Sequence, residues 1–306
     1  MSKDFLDLAP DVAEALATGK AVVALESTIV THGMPWPENV ETARQVEDAV
    51  RAREAVPATI AVIGGRIKIG LSADELDLLA QAKDVRKLSR ADLAYAVSAR
   101  LDGSTTVAAT MIAAHLAGIV VFATGGIGGV HRGAETSFDI SADLDELART
   151  PVAVVCAGAK AILDVPKTLE VLETRGVPVV CCGTGEFPAF WSRQSGLAAP
   201  IRLDTPDEIA ALIETRNGLN LEGGTLVANP LSPEDEIPAV EIGRAIETAL
   251  ERAYASGVTG KDVTPFLLSQ MLELTDGRSL VANIALIKAN AALAAQIAVA
   301  LTKAKK

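Results

Sequence analysis

Aromatic side chains are scarce in this sequence: two Trp, two Tyr and six Phe in 306 residues. A core short of them must be packed from Ala, Val, Leu and Ile, which suits helices lying close on an aliphatic sheet. Cysteine is nearly absent as well. Cys156, Cys181 and Cys182 make an odd count with a vicinal pair and no C-x-x-C spacing. That argues against a disulfide framework and a zinc site, and for a reducing, cytoplasmic setting. Basic charge is also in deficit, 28 Lys and Arg against 39 Asp and Glu, for a net charge of −11. Such a surface disfavours nucleic-acid backbones, although a few local cations and N–H groups suffice for a phosphorylated small molecule. The opening stretch MSKDFLDLAP carries acids and no long apolar run, so it does not read as a signal peptide. The Ala-rich stretch from Ser279 to Leu301 is the one membrane candidate. Asn283, Lys288, Asn290 and Gln296 spread along it, which indicates a buried helix and no membrane partner.

What the chain does have is alternation. Apolar runs at 21–27, 58–64, 118–126, 151–158, 177–183 and 225–230 are separated by amphipathic stretches at 38–53, 72–82, 105–117, 141–149, 164–175 and 206–215. Helix-start signals accompany several of them: Ser72 with Glu75, Thr205 with Pro206 and Glu208, and Ser232 with Asp235. This order predicts an α/β protein, a three-layer α/β/α sandwich with a largely parallel sheet. With no repeat or low-complexity linker, residues 1–306 read as one catalytic domain. From Pro233 the pattern turns helical, so helices over about 233–303 are expected to wrap the sheet.

Polar and glycine residues collect where the apolar runs end. PVAVVCAGAK, residues 151–160, finishes on Lys160. That lysine either snorkels to solvent or is an amine held at the carboxyl edge of the sheet, where open α/β folds bind ligands. Glu26 directly follows the first run, as a surface carboxylate or as a proton donor beside an apolar strand end. His32, in the loop after it, is either structural or a base. In the next loop Gly125, Gly126, Gly128 and Gly129 allow close backbone approach. They form neither the spaced dinucleotide fingerprint nor a P-loop. Asp139, Ser141 and Asp143 then alternate before an acidic helix. Ser141 reads as its N-cap, and Asp143 as either a dipole partner or part of a polar nest for metal, phosphate or sugar oxygens. His131, Glu135 and Asp139 recur every four residues, but Gly133 argues against a helix there. A hard cation held by one carboxylate through water fits better than a three-ligand cluster. Lys87 and Arg90 bracket a strand-to-helix junction. Ser104, Thr105 and Thr106 are more hydroxyls than one helix cap needs, and Asn283 sits in the apolar SLVANIALI as a network or site residue.

Together these stretches carry a resemblance. ALESTIVTHGMPWPEN, GSTTVAATM, FATGGIGGVHRGAETSFDISADL, PVAVVCAGAKAILD, FPAFW, GKDVTPFLL and SLVANIALIKANAALAAQIA closely resemble the pseudouridine-5'-phosphate glycosidase family, which includes indigoidine synthase A-like members. The likeness runs from about residue 20 to the C-terminal helix. It implies a lyase that reversibly cleaves pseudouridine 5'-phosphate, with water, to uracil and ribose 5-phosphate. The lysine of CAGAK, here Lys160, would be the nucleophile, and the glutamate of LEST, here Glu26, the proton donor. The first aspartate of DISAD, Asp139, would hold a divalent metal, usually manganese (Mn2+), through its waters. Ser141, Ala142 and Asp143 would contact substrate, and Lys87, Val107, Thr124 and Asn283 match further substrate or active-site positions. Family members are α/β/α proteins that assemble as homotrimers.

The chemistry agrees with those assignments. A C–C glycosidic bond has a poor leaving group, so direct attack by water is difficult. An amine that captures C1' of a ring-opened ribose as an imine supplies an electron sink. Attack needs the neutral amine, which burial at an apolar strand end favours, while Glu26 must keep or shuttle a proton. Two rivals stay open: another imine-forming lyase or aldolase on a sugar phosphate, and a sugar-phosphate-binding module without catalysis.

Overall fold

The structure, a computed structural model, describes residues 2–258 and 263–304. Gly260, Lys261 and Asp262 of the GKDVTPFLL block lie outside the described residues. The first strands are β1 (Leu6–Leu8), β2 (Val22–Leu25), β3 (Val56–Ile63), β4 (Arg66–Ile69), β5 (Arg86–Leu88) and β6 (Gly103–Thr105). They are followed by β7 (Val121–Ala123), β8 (Ala153–Cys156), β9 (Val179–Cys182), β10 (Ile201–Leu203) and β11 (Thr225–Ala228). The first six helices are α1 (Pro10–Ala17), α2 (Glu38–Arg51), α3 (Ala73–Gln81), α4 (Arg90–Ser98), α5 (Val107–Ala117) and the single turn α6 (Ala134–Ser137). The others are α7 (Ala142–Arg149), α8 (Val165–Thr174), α9 (Pro206–Gly218), α10 (Ala239–Ala255), α11 (Val263–Leu274) and α12 (Arg278–Ala304).

The strands join in the order β1-β4-β3-β2-β7-β8-β11-β9-β10, with β6 added to β3 and β5 to β6. Only β4 and β6 run antiparallel to their neighbour β3. β2, β8 and β11, all Val, Ala, Leu, Thr or Cys, are buried at every position, as strands covered on both faces must be. α12 lies across β2, β7 and β8 between α2 and α9, while α5 packs on β2, β3 and β7 beside α4 and α7. The architecture is the three-layer α/β/α sandwich with a largely parallel sheet. α12 is long and apolar enough to cross a bilayer, but that composition is used against the sheet, where Ala291, Ala294, Ala295 and Ile297 are buried.

Start signals fare unevenly. Ser72 and Thr205 form capping boxes with Glu75 and Glu208, and Ser141 caps α7. Ser232 does not begin a helix. Its hydroxyl donates to Asp235 at 2.7 Å in an irregular segment, and α10 starts only after Pro238. The proline ring pushes the residue before it out of the helical region, which delays the start.

The topology dictates where a ligand goes. β2 and β7 are parallel neighbours, with Leu25 opposite Ala123. From β2 the chain proceeds outward to β3, and from β7 it proceeds the other way to β8. A crevice opens beyond the carboxyl ends of such a pair, where the connections diverge. The next residues of the two strands are Glu26 and Thr124.

Candidate active site

Glu26 is fixed by two hydroxyls, Thr28 Oγ1 donating to one carboxylate oxygen and Thr124 Oγ1 to the other. Thr124 is buried, and its backbone is locked on both sides. Its N–H donates to the Val155 carbonyl at 2.9 Å, and its carbonyl accepts from Asn290 Nδ2 at 2.8 Å. Asn290 in turn accepts from Asn229 Nδ2 at 3.1 Å. Two side-chain amides thus hold the strand end that orients the carboxylate, at little net energy each but with high directionality.

Lys160 is delivered by the turn after β8. Gly158 has φ of 93°, and a Cβ there would stand 2.5 Å from the Pro188 carbonyl, so only glycine fits. The glycine loop runs beside this turn: Ala157 N–H donates to Gly125 O at 2.9 Å and Lys160 N–H to Ile127 O at 3.1 Å. The loop glycines are therefore close-approach positions. Upstream on the same strand, burial pushes the Cys156 thiol up to about 12, which removes it as a nucleophile near neutral pH. Lys160 is the amine that follows this strand into the cleft.

Two adjoining cavities, one larger than the other, share Glu26, Thr28, Lys87 and Lys160. The larger receives the starts of three helices: Ser89 before α4, Thr106 and Val107 at α5, and Ser141, Ala142 and Asp143 at α7. Helix N-termini and lysines make this end attractive to anions. Asp143 is also a staple. Its Oδ1 accepts from Ala108 N–H at 3.0 Å and its Oδ2 from Gly128 N–H at 2.9 Å. The smaller cavity is more apolar, walled by Ile29, Met34, Phe190, Leu268 and Leu286, with Asn283 and His32 as polar members.

Asp139 also lines the larger cavity, with His131 Nδ1 3.8 Å from its Oδ2. Burial holds His131 below its usual pKa, the Lys160 and Lys87 charges push the same way, and Asp139 opposes them. Glu135 turns away to Lys167, at 3.0 Å. Among the described residues no three His, Cys, Asp or Glu side chains gather as a metal cluster. One partly exposed carboxylate on a cleft is a donor set that suits a hard cation kept largely in its own water shell.

Of the residues singled out in the sequence, Glu26, Lys87, Lys160, Val107, Asp139, Ser141, Ala142, Asp143 and Asn283 all line this double cleft. Thr124 reaches it through Glu26. Arg90 does not enter it; its guanidinium forks onto Glu146 at 2.6 and 2.7 Å. Thr106 is the cap of α5, whereas Ser104 and Thr105 belong to β6 and bond to Thr31, Ser27 and the Ile60 carbonyl. Thr28, Phe190 and Trp191 escaped individual notice. An adjacent aromatic pair in a chain with 3% aromatics was the signal for the last two.

Comparison with known proteins points the same way. The family model described as "Indigoidine synthase A like protein" matches residues 11–300. The chain is 68% identical over 305 residues to the pseudouridine-5'-phosphate glycosidase of Methylobacterium nodulans, covering 100% of this chain and 90% of the relative. It is 64% identical over 293 residues to that of Solibacter usitatus, covering 96% and 98%. Among solved structures, a prealnumycin C-glycosynthase in complex with ribulose 5-phosphate superposes with a TM-score of 0.91 at 36% identity, covering 98% of both chains. An indigoidine synthase A-like protein from Thermotoga maritima gives 0.85 at 38%, covering 93% and 94%. Sequence and fold converge over nearly the whole length, and the chain belongs to the indigoidine synthase A-like family.

Proposed function

We propose that the chain is a pseudouridine-5'-phosphate glycosidase, a lyase that reversibly splits the C–C glycosidic bond to give uracil and ribose 5-phosphate. The observation that carries this reading is that Lys160 and Glu26 line both adjoining cavities, the smaller of which is the more apolar. A substrate with a phosphate at one end and a planar base at the other would lie across them with its sugar between the two groups. Relatives at 62–68% identity bear this enzyme name. The structural relative's ligand, ribulose 5-phosphate, is an open-chain pentose phosphate, because its phosphate blocks the hydroxyl that would close a furanose.

The proposed sequence begins with the Lys160 amine forming a bond to C1' as the C1'–O4' bond breaks and O4' takes a proton. Glu26 then delivers a proton to the uracil carbon. The C1'–C5 electrons pass into the base, and the nitrogen lone pair forms the imine. Water hydrolyses the imine, freeing ribose 5-phosphate and the lysine. Thr28 and Thr124 aim the Glu26 carboxylate. Lys87, Val107, Thr124, Ser141, Ala142, Asp143 and Asn283 are assigned to substrate or to its immediate support. Asp139 would hold a divalent cation, manganese being the expected one, which when bound supplies positive charge near the sugar phosphate. Water in excess favours cleavage as the working direction.

Uracil release from pseudouridine 5'-phosphate, with uridine 5'-phosphate as control, tests the reading. Turnover of the first alone supports it. Turnover of neither, or of other sugar phosphates instead, points to a different imine-forming lyase or to a binding module. Asp139→Ala is expected to raise the manganese concentration needed for half-maximal rate, and an unchanged titration removes it from the site. A homotrimer in the cytoplasm completes the proposal, supported by the family resemblance and by the free cysteines. Sedimentation equilibrium tests the trimer.

A further inference from the structure

We infer that Trp191 is a positioning residue that sets the Asn283 amide to donate a hydrogen bond to a carbonyl of the departing base, with Phe190 as the wall on which that base lies. The inference rests on the reading above and names the part of the site that recognises the base. Trp191 Nε1 meets Asn283 Oδ1 at 2.8 Å. An indole N–H can only donate, so the acceptor must be the amide oxygen, which settles the amide's orientation. Nδ2 is then turned away from the indole and has no partner among the described residues. Asn283 lines the more apolar cavity, so the amine is what this residue can offer to a bound molecule.

The aromatic corner that performs this task is built into the same turn as the nucleophile. Phe190 N–H donates to Ala157 O at 3.1 Å, three residues before Lys160, and Ile237 N–H donates to Trp191 O at 2.8 Å. Phe190 itself adopts φ of 63°, a conformation bulky residues avoid unless their surroundings impose it. Its ring lies against Gly126, where a Cβ would stand 2.6 Å from it, and meets the Trp191 ring edge-on at 5.0 Å and 71°. A flat apolar face with one amide donor at its rim suits a planar, carbonyl-bearing heterocycle. Ribose 5-phosphate carries no such group.

Trp191→Phe keeps an aromatic ring and removes only the donor. It is expected to raise KM for pseudouridine 5'-phosphate about tenfold, the effect of one buried hydrogen bond. Ribose 5-phosphate affinity, measured by calorimetry, should stay within about twofold. In an Asn283→Ala background the same change should add little, because its effect runs through the amide. If Trp191→Phe fails to fold, Asn283→Ala alone must still weaken the base-bearing substrate while sparing ribose 5-phosphate. Equal losses for both ligands, or full additivity of the two changes, would overturn the inference with the wild-type reaction intact. Wild-type protein that releases no uracil would instead remove the functional reading, and this inference with it.

Discussion

Asp143 and Gly128 are a matched pair: the carboxylate accepts the glycine N–H at 2.9 Å, in space that any side chain on the glycine would occupy. A Cβ at position 128 would lie 2.8 Å from Asp143 Oδ2 and 2.2 Å from Ser141 Oγ. Gly128→Ala is therefore expected to displace the start of α7 and cost about 1–3 kcal/mol of stability, as overpacking does. Urea unfolding checks the stability, and KM for substrate checks the displacement. A variant with wild-type values in both would show that the loop yields freely.

Arg90 and Glu146 tie α4 to α7, and so tie Ser89 to the Ser141–Asp143 corner. The Glu146 side chain is 1% exposed, against 47% for Arg90, and Thr150 Oγ1 donates to the same carboxylate. Glu146 also raises the pKa of Arg90. Arg90→Met would leave a buried carboxylate with one hydroxyl partner, and a loss of about 3 kcal/mol is expected. Adding Glu146→Leu should recover most of it, since it removes the buried carboxylate that the first change leaves without its cation. Urea midpoints of the single and double variants decide; a double variant no more stable than Arg90→Met would contradict the account.

His32 gives the fold a pH dependence whose sign can be worked out. Burial, aided by the Lys87 charge, holds its pKa below the ordinary 6.5, and the groups at its Nδ1 are the Thr31 and Ser104 hydroxyls. In the unfolded chain the imidazole takes a proton near pH 6.5, while in the folded chain it resists. Stability associated with His32 is thus complete above about pH 6.5 and is lost as pH falls toward the lowered value. Urea unfolding between pH 7.5 and 5.5 should show the decline, with a smaller slope in His32→Gln. His131, also lowered by burial, contributes in the same direction.

What could be read in the sequence follows from how local its causes are. β2, β7, β8 and β9 are uninterrupted apolar runs because strands inside a parallel sheet are buried on both faces, and Glu26 and Lys160 stand out because each follows such a run. The short strands gave no comparable signal. Arg66–Ile69 alternates buried and half-buried positions over only four residues, and Gly103–Thr105 is a polar stretch buried because its hydroxyls bond to Thr31, Thr110 and the Ile60 carbonyl. Arg90 pairs with Glu146, 56 residues away and almost wholly buried, a contact that no local pattern encodes. The bond between Trp191 and Asn283 spans 92 residues, and no periodicity encodes a contact of that kind. Ser232 misled because a capping hydroxyl can bond just as well to an aspartate in a turn.

The central claim is that Lys160 forms a covalent imine with the open-chain sugar. Borohydride reduction in the presence of ribose 5-phosphate, followed by peptide mass mapping, tests it most directly. The account predicts a reduced pentose phosphate adduct on the peptide carrying Lys160, and none in Lys160→Ala, which should also release no uracil while unfolding in urea like the wild type. Active enzyme that yields no adduct at Lys160 under these conditions, or Lys160→Ala that still cleaves at the wild-type rate, would contradict it.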